Sequence, residues 1–289
     1  MDREINRRFR ERLARRDALL VPGAANALAA RVIADLGFEA VYVSGAGVTN
    51  TFLGIPDLGF IGLPELAQHT AAIREAVDLP LIVDADTGFG NALNVRHTIR
   101  TLERAGASAI QLEDQVMPKR CGHFAGKEVV GAAEMAAKVR AAVDARRDPN
   151  LLIIARTDAR AVEGFEAALE RAGRYIDAGA DVTFVEAPES VDEIDRIPRA
   201  LAVPQLINMV VGGKTPILDH ASLKAKGYAI VLYANAALQG AVRGMQAALG
   251  ALKTNGRLDE TPLVASFKER QRLVQKPLFD ALDRKYAAE

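Results

Sequence analysis

The stretch Lys119-Arg120-Cys121-Gly122-His123 holds the only cysteine of the chain and sets it among groups that carry, or can take up, positive charge. Neighbouring cations favour a thiolate over a thiol, so Cys121 is expected to be reactive. The plainer alternative is a small buried hydrophobe, which charged, glycine-rich flanks fit less well. Without a second cysteine, an internal disulfide and a zinc site built on several thiolates are both excluded. A second group of residues points to a cation. Asp84-Ala85-Asp86 closes an apolar run, and two carboxylates so spaced on an extended chain face the same way, with Gly88 and Gly90 allowing close backbone approach. Asp57 and Glu113 complete an all-oxygen set without a histidine cluster, which selects Mg2+, or Mn2+, over zinc. Helix capping or pairing with Arg156 stays open as the role of Asp57 and of Asp158. For Asp84 that role fits poorly, because an acid at the end of a buried strand needs a strong partner.

Arg156 has the planar fork that grips a substrate carboxylate, and Ser44-Gly45-Ala46-Gly47 offers backbone N–H groups to an anionic oxygen, although most glycine-rich turns are only turns. An acidic small molecule is the expected substrate.

These groups must be brought together, and the pattern of elements says how. Short apolar runs recur at 19–21, 40–43, 80–83, 109–112, 151–155, 182–185, 205–207 and 229–232, most too continuously apolar for half-exposed strands. Amphipathic stretches at 94–105, 132–143 and 165–178 lie between them, and Gly37, Gly106 and Gly179 mark helix ends that lead into strands. Eight such units predict a (β/α)8 barrel, with the site on loops at the C-terminal ends of the strands. Ser44, Asp84, Glu113, Arg156, Glu186 and Asn208 all follow or close such runs. A doubly wound open sheet would carry a glycine-rich fingerprint after its first strand, and Val21-Pro22-Gly23-Ala24-Ala25 is not one. One barrel domain over 1–289 is expected, with surplus helices at 234–253 and 261–288 forming a C-terminal extension suited to an oligomer contact.

Composition narrows the function further. Lys plus Arg and Asp plus Glu number 37 each, so no global positive field holds nucleic acid, and the Arg-rich stretch 7–16 reads as a solvated helix face. No apolar run approaches the roughly 20 residues that span a bilayer, and the N-terminus lacks the apolar centre of a signal peptide. A cytoplasmic protein with no membrane partner is expected.

Taken in order, Val41-Tyr42-Val43-Ser44-Gly45, Val83 to Gly90, Gln111-Leu112-Glu113-Asp114-Gln115, Lys119 to His123, Ala155-Arg156-Thr157-Asp158-Ala159 and Asn208-Met209-Val210 resemble the isocitrate lyase and phosphoenolpyruvate mutase superfamily. The likeness runs over essentially the whole chain. It implies an Mg2+-dependent barrel, a homotetramer built as a dimer of dimers with C-terminal helices swapped between neighbours, and a mobile loop carrying the cysteine. Lys-Arg-Cys-Gly-His looks like the signature of the lyases, which implies retro-aldol cleavage of a 2-hydroxy di- or tricarboxylate with Cys121 as general acid. The resemblance places Lys119, His123, Tyr42 and Glu186 in the catalytic machinery. It puts Ser44, Gly45, Ala46, Gly122, Arg156 and Asn208 on the substrate, Asp84 on the metal, and Asp57, Asp86 and Glu113 around it through water. Two departures bear on the substrate. Phe124 stands where methylisocitrate lyases have arginine, and Val211 stands where relatives that cleave alkylmalates have an acid. A 2-alkylmalate or 2,3-dimethylmalate giving pyruvate or a close 2-keto acid is expected, with 2-methylisocitrate as the alternative. A phosphonopyruvate enzyme, an oxaloacetate hydrolase and a non-catalytic acid-binding protein stay open.

Overall fold

The computed structural model describes residues 3–120, 122 and 126–287. Cys121 and His123, two expected catalytic residues, lie outside them, as does Phe124. Eight parallel strands close into a barrel in sequence order: β1 (Leu19–Ala24), β2 (Val41–Val43), β3 (Leu81–Asp84), β4 (Ala109–Glu113), β5 (Leu152–Thr157), β6 (Val182–Val185), β7 (Gln205–Asn208) and β8 (Ile230–Tyr233). The helices of its first half are α1 (Arg3–Ala14), α2 (Ala27–Asp35), α3 (Gly45–Phe52), α4 (Leu63–Ala76), α5 (Ala92–Arg104) and α6 (Ala132–Ala145). Those of its second half are α7 (Phe165–Asp177), α8 (Val191–Ala200) and α9 (His220–Lys226), followed by α10 (Ala236–Asn255), α11 (Phe267–Leu273) and α12 (Lys276–Tyr286). The chain therefore folds as the (β/α)8 barrel that its periodicity predicts, and Gly37, Gly106 and Gly179 all adopt the left-handed backbone, at φ 81°, 101° and 101°.

Strand alternation decides which side chains reach the site. Leu81 and Val83 on β3, Ile110 and Leu112 on β4, and Ile153 and Ala155 on β5 pack outward with apolar residues of α2, α4, α5 and α6. Ile82, Ala109, Leu152 and Ile154 point inward to a filled core shared with Phe184, Leu206, Ile230 and Leu232. Continuing that inward parity to the strand ends selects Tyr42, Asp84, Glu113, Arg156 and Asn208. The interior thus changes from hydrocarbon to charge within one layer.

The first helix is more than the solvated face read from its arginines. Arg7 and Arg8 pair with Glu4, each at 2.7 Å, on one side, while Phe9 and Leu13 on the other are buried against the barrel interior. Helix α1 thereby plugs the end of the barrel opposite the strand C-termini.

The C-terminal extension also departs from expectation. The stretch 261–288 is two helices rather than one, with Gln275 at φ 58° between them. Pro277 accounts for the break: it lacks an N–H and clashes inside a helix, so it sits in the first turn of α12. None of α10, α11 and α12 has a buried residue, and Val242, Met245, Leu249 and Leu252 form a seven-residue repeat of apolar side chains open to solvent.

Candidate active site

A cleft of ≈ 190 Å³ opens over the C-terminal ends of the strands. Its charged and polar lining suits a molecule such as a small dicarboxylate. Tyr42, Ser44, Ala46, Asp57, Asp84, Glu113, Lys119, Gly122, Arg156, Glu186 and Asn208, all expected from the sequence, line it. Gly45 and Asp86 do not line it. They lie against the wall instead, where a Cβ added at Gly45 would stand 3.3 Å from both Asp84 Oδ2 and Asp86 Oδ1. Glycine is therefore what lets helix α3 approach the two carboxylates.

The Asp84/Asp86 pair is not built as expected. Strand β3 ends at Asp84, and Asp86 sits at φ 47°, in the left-handed region, so the two carboxylates converge through a turn rather than along an extended chain. Asp84 Oδ1 accepts from the Asp86 backbone N–H at 3.3 Å and from Gln111 Nε2 at 3.2 Å, which fixes its orientation. Strand pairing places Gln111 opposite Asp84. A left-handed, non-glycine residue at a charged pocket is the kind of strained backbone found at functional sites.

Two cations organise the acids. Lys119 Nζ lies 2.6 Å from Asp57 Oδ2 and 2.9 Å from Asp86 Oδ1. Burial alone would lower the lysine pKa, but Asp86, Glu113, Asp84 and Asp57 together outweigh it and hold the ammonium charged. Arg156, opposite Glu113 in the β4–β5 ladder, reaches Asp158 Oδ2 at 2.9 Å, Glu186 Oε2 at 3.2 Å and Glu113 Oε2 at 3.3 Å. Its guanidinium also lies 5.2 Å above the centre of the Phe184 ring. Asp158 thus takes the pairing role left open for it, whereas Asp57 pairs with Lys119 rather than Arg156. Burial pushes Asp86 up to about 7, aided by Asp84 and Asp57 and opposed by Lys119. Burial likewise raises Glu113 well above the carboxylate range, against Arg156, and raises Tyr42, with the Asp84 charge adding to it.

Among the described residues, no three His, Cys, Asp or Glu side chains are grouped to clasp a bare ion. Glu113 Oε1 is nevertheless buried without a hydrogen-bond partner beside Asp84, and Asp86 Oδ1 meets the Lys119 ammonium. Oxygen atoms so placed fit an ion that keeps part of its water shell, which is how Mg2+ binds.

Several residues escaped the sequence reading. Asn235 follows β8, lines the cleft and takes a 3.4 Å bond from Ser44 Oγ; its position after a strand was the available signal. Ser44 caps α3, accepting from Gly47 N at 3.0 Å. Gln111 is hidden within an apolar run, and Lys127, whose Nζ is 2.7 Å from Asp158 Oδ1, has its partner 31 residues away. Val210, Val211, Gly212 and Gly213 form one uncharged wall of the same cleft.

Comparison with known proteins agrees with this architecture. The phosphoenolpyruvate phosphomutase family model matches residues 9–253. The 2,3-dimethylmalate lyase of Eubacterium barkeri is 46% identical over 266 residues, 91% of this chain and 92% of that protein. A 2-methylisocitrate lyase of Aeropyrum pernix is 47% identical over 248 residues, 86% of this chain and 80% of that one. A crystal structure of 2,3-dimethylmalate lyase superposes with a TM-score of 0.92 at 34% identity, covering 98% of this chain and 96% of the other. One of phosphonopyruvate hydrolase with oxalate and Mg2+ superposes with a TM-score of 0.88 at 30% identity, covering 98% and 99%. The chain belongs to the phosphoenolpyruvate mutase/isocitrate lyase superfamily and is an enzyme of it.

Proposed function

We propose that the chain is a carbon–carbon lyase that cleaves a 2-hydroxy dicarboxylate carrying an alkyl substituent, of the 2-alkylmalate or 2,3-dimethylmalate type, to a 2-keto acid such as pyruvate and a carboxylic acid. The observation that carries this reading is the division of one cleft into a charged side, with Arg156, Lys119 and the acids, and an uncharged wall at Val210 to Gly213. The charged side suits the hydroxy-carboxylate end of the substrate. The uncharged stretch suits an alkyl arm, because it offers a carboxylate no charged side chain of its own.

The residues divide the work as follows. Arg156 and the N–H groups at the start of α3 hold carboxylate oxygens, with Asn208 and Gly122 beside them. Asp84, with Asp86, Asp57 and Glu113, would hold Mg2+, which when bound would supply positive charge to stabilise the developing keto acid. Tyr42, kept protonated by burial, donates a hydrogen bond that orients the hydroxyl. The hydroxyl proton leaves to the carboxylate cluster, the C2–C3 electron pair moves onto C3, and an enolate-like carboxylate results. Cys121 gives it a proton, with Lys119, His123 and Glu186 setting the charge around the thiol.

The reading places the enzyme in the cytoplasm as a homotetramer, supported by the lone cysteine and by the apolar repeat on α10. Among the described residues, no helix is long and apolar enough to cross a membrane. A second substrate, 2-methylisocitrate, is favoured by Arg120, a further cation lining the cleft. A panel of 2-alkylmalates, 2,3-dimethylmalate, 2-methylisocitrate, isocitrate, oxaloacetate and phosphonopyruvate, assayed for keto acid with Mg2+ and with EDTA, tests the proposal. Metal-dependent turnover of an alkylmalate that Cys121→Ser abolishes is expected. Turnover of oxaloacetate or phosphonopyruvate alone, undiminished in that variant, would refute it.

A further inference from the structure

Lys127 lies in the loop between β4 and α6, six residues past the cysteine, and no part of the proposed chemistry uses it. Its side chain is only 2% exposed, an unusual state for a lysine on a loop. The ammonium is held from two directions. It donates to Asp158 Oδ1 at 2.7 Å and to the carbonyl oxygen of Gly122. Asp158 is itself fixed: its backbone N–H donates to Asp114 Oδ1 at 2.9 Å, and its carboxylate accepts from Arg156 Nε at 2.9 Å and Nη2 at 3.1 Å. Asp114 is anchored in turn by Thr157 Oγ1 at 2.7 Å and the Tyr175 hydroxyl at 2.8 Å. Gly122 closes the circuit, because a Cβ there would lie 2.4 Å from Arg156 Nη2 and 2.7 Å from Glu186 Cδ. The backbone beside the cysteine therefore rests directly on the arginine assigned to the substrate.

We propose that Lys127 and Asp158 form a latch that fixes the Gly122 backbone against Arg156, making Lys127 a positioning residue for the proton donor one peptide bond away. This rests on the lyase reading. Asp158 serves both the loop and the substrate arginine, so the same carboxylate sets the distance between the group that holds the substrate and the group that protonates it. Lys119 pairs with Asp57 and Asp86, so the two lysines hold to acids that follow the strands on either side of β4, Asp86 after β3 and Asp158 after β5.

Lys127→Met tests the latch, and Lys127→Met/Asp158→Asn is its companion, since it removes both charges and leaves no unpaired ammonium or carboxylate between them. Amide hydrogen exchange of the peptides spanning 116–129 is expected to accelerate at least about tenfold in both, with the barrel strands unchanged as the control for folding. In Lys127→Met, kcat should fall about tenfold or more while KM moves less than about threefold, because the substrate arginine keeps Asp158 while the proton donor is misplaced. Lys127→Arg, which retains charge and donors, should recover part of the loss. Loop exchange within about twofold of the parent in both variants would overturn the latch, as would faster loop exchange with unchanged kcat. A parent enzyme that turns over nothing in the substrate panel would sink the lyase reading alone, because the exchange comparison still decides the latch.

Discussion

At the residue scale, the cleft separates two jobs that often fall to one group. On the proposed chemistry, holding charge belongs to Lys119, Arg156 and the acids around them, whereas choosing between substrates falls to side chains with no charge. Val211 makes that separation testable, since it is 62% exposed on the apolar wall and pairs with nothing charged. Val211→Lys should shift the ratio of kcat/KM for 2-methylisocitrate over 2,3-dimethylmalate toward the tricarboxylate by at least about tenfold, as expected for a new cation facing a carboxylate. An unchanged ratio, with both activities intact, would mean that Val211 does not face the arm. Much of the acid set could be named in advance because each member closes an apolar run, where an unpartnered carboxylate is too costly to be idle. What could not be named was who pairs with whom. Asp57 with Lys119 and Asp158 with Lys127 are bonds across 62 and 31 residues, and local spacing carries no trace of them.

At the scale of elements, helix α1 shows how a charged segment can hide a structural role. Its arginines satisfy local acids, so the charge pattern alone describes a surface helix. Phe9, 2% exposed, and Leu13, 1% exposed, are nevertheless the residues that close the barrel floor. Phe9→Ala removes a buried ring from a packed core and should cost about 3–5 kcal/mol of stability. A thermal scan should show a clear drop in Tm, while kcat/KM of the folded fraction at low temperature stays near the parent value, because the site lies at the other end of the strands. A parent-like Tm would show that α1 is dispensable to the floor. The eight strands were legible because buried parallel strands are continuously apolar and glycine punctuates the helices between them. The break in the last helical stretch is written only in Pro277, and Asp86 is not legible because a left-handed aspartate looks, in sequence, like one in an extended chain.

For the whole molecule, the last three helices contrast with the barrel. Nothing on α10, α11 or α12 is buried, and α10 carries its apolar repeat toward solvent across Val242, Met245, Leu249 and Leu252. Such a seam is suited to a second helix, and the proposed tetramer would cover it. Met245→Glu/Leu249→Glu should reduce the mass measured by light scattering after size exclusion, with the barrel's circular dichroism preserved. A mass equal to the parent's would place the subunit contact elsewhere.

A barrel filled with side chains down to its floor has a single door. On the proposed cleavage, two products made behind that door would leave in turn, and the reverse reaction would admit them in the opposite order. The fragment beside the uncharged stretch would face fewer bonds than a keto acid held by Arg156 and leave first, so the keto acid should compete directly with substrate while its companion should not. The packed interior beneath the site, far from any reacting atom, would thus impose a queue on the chemistry above it.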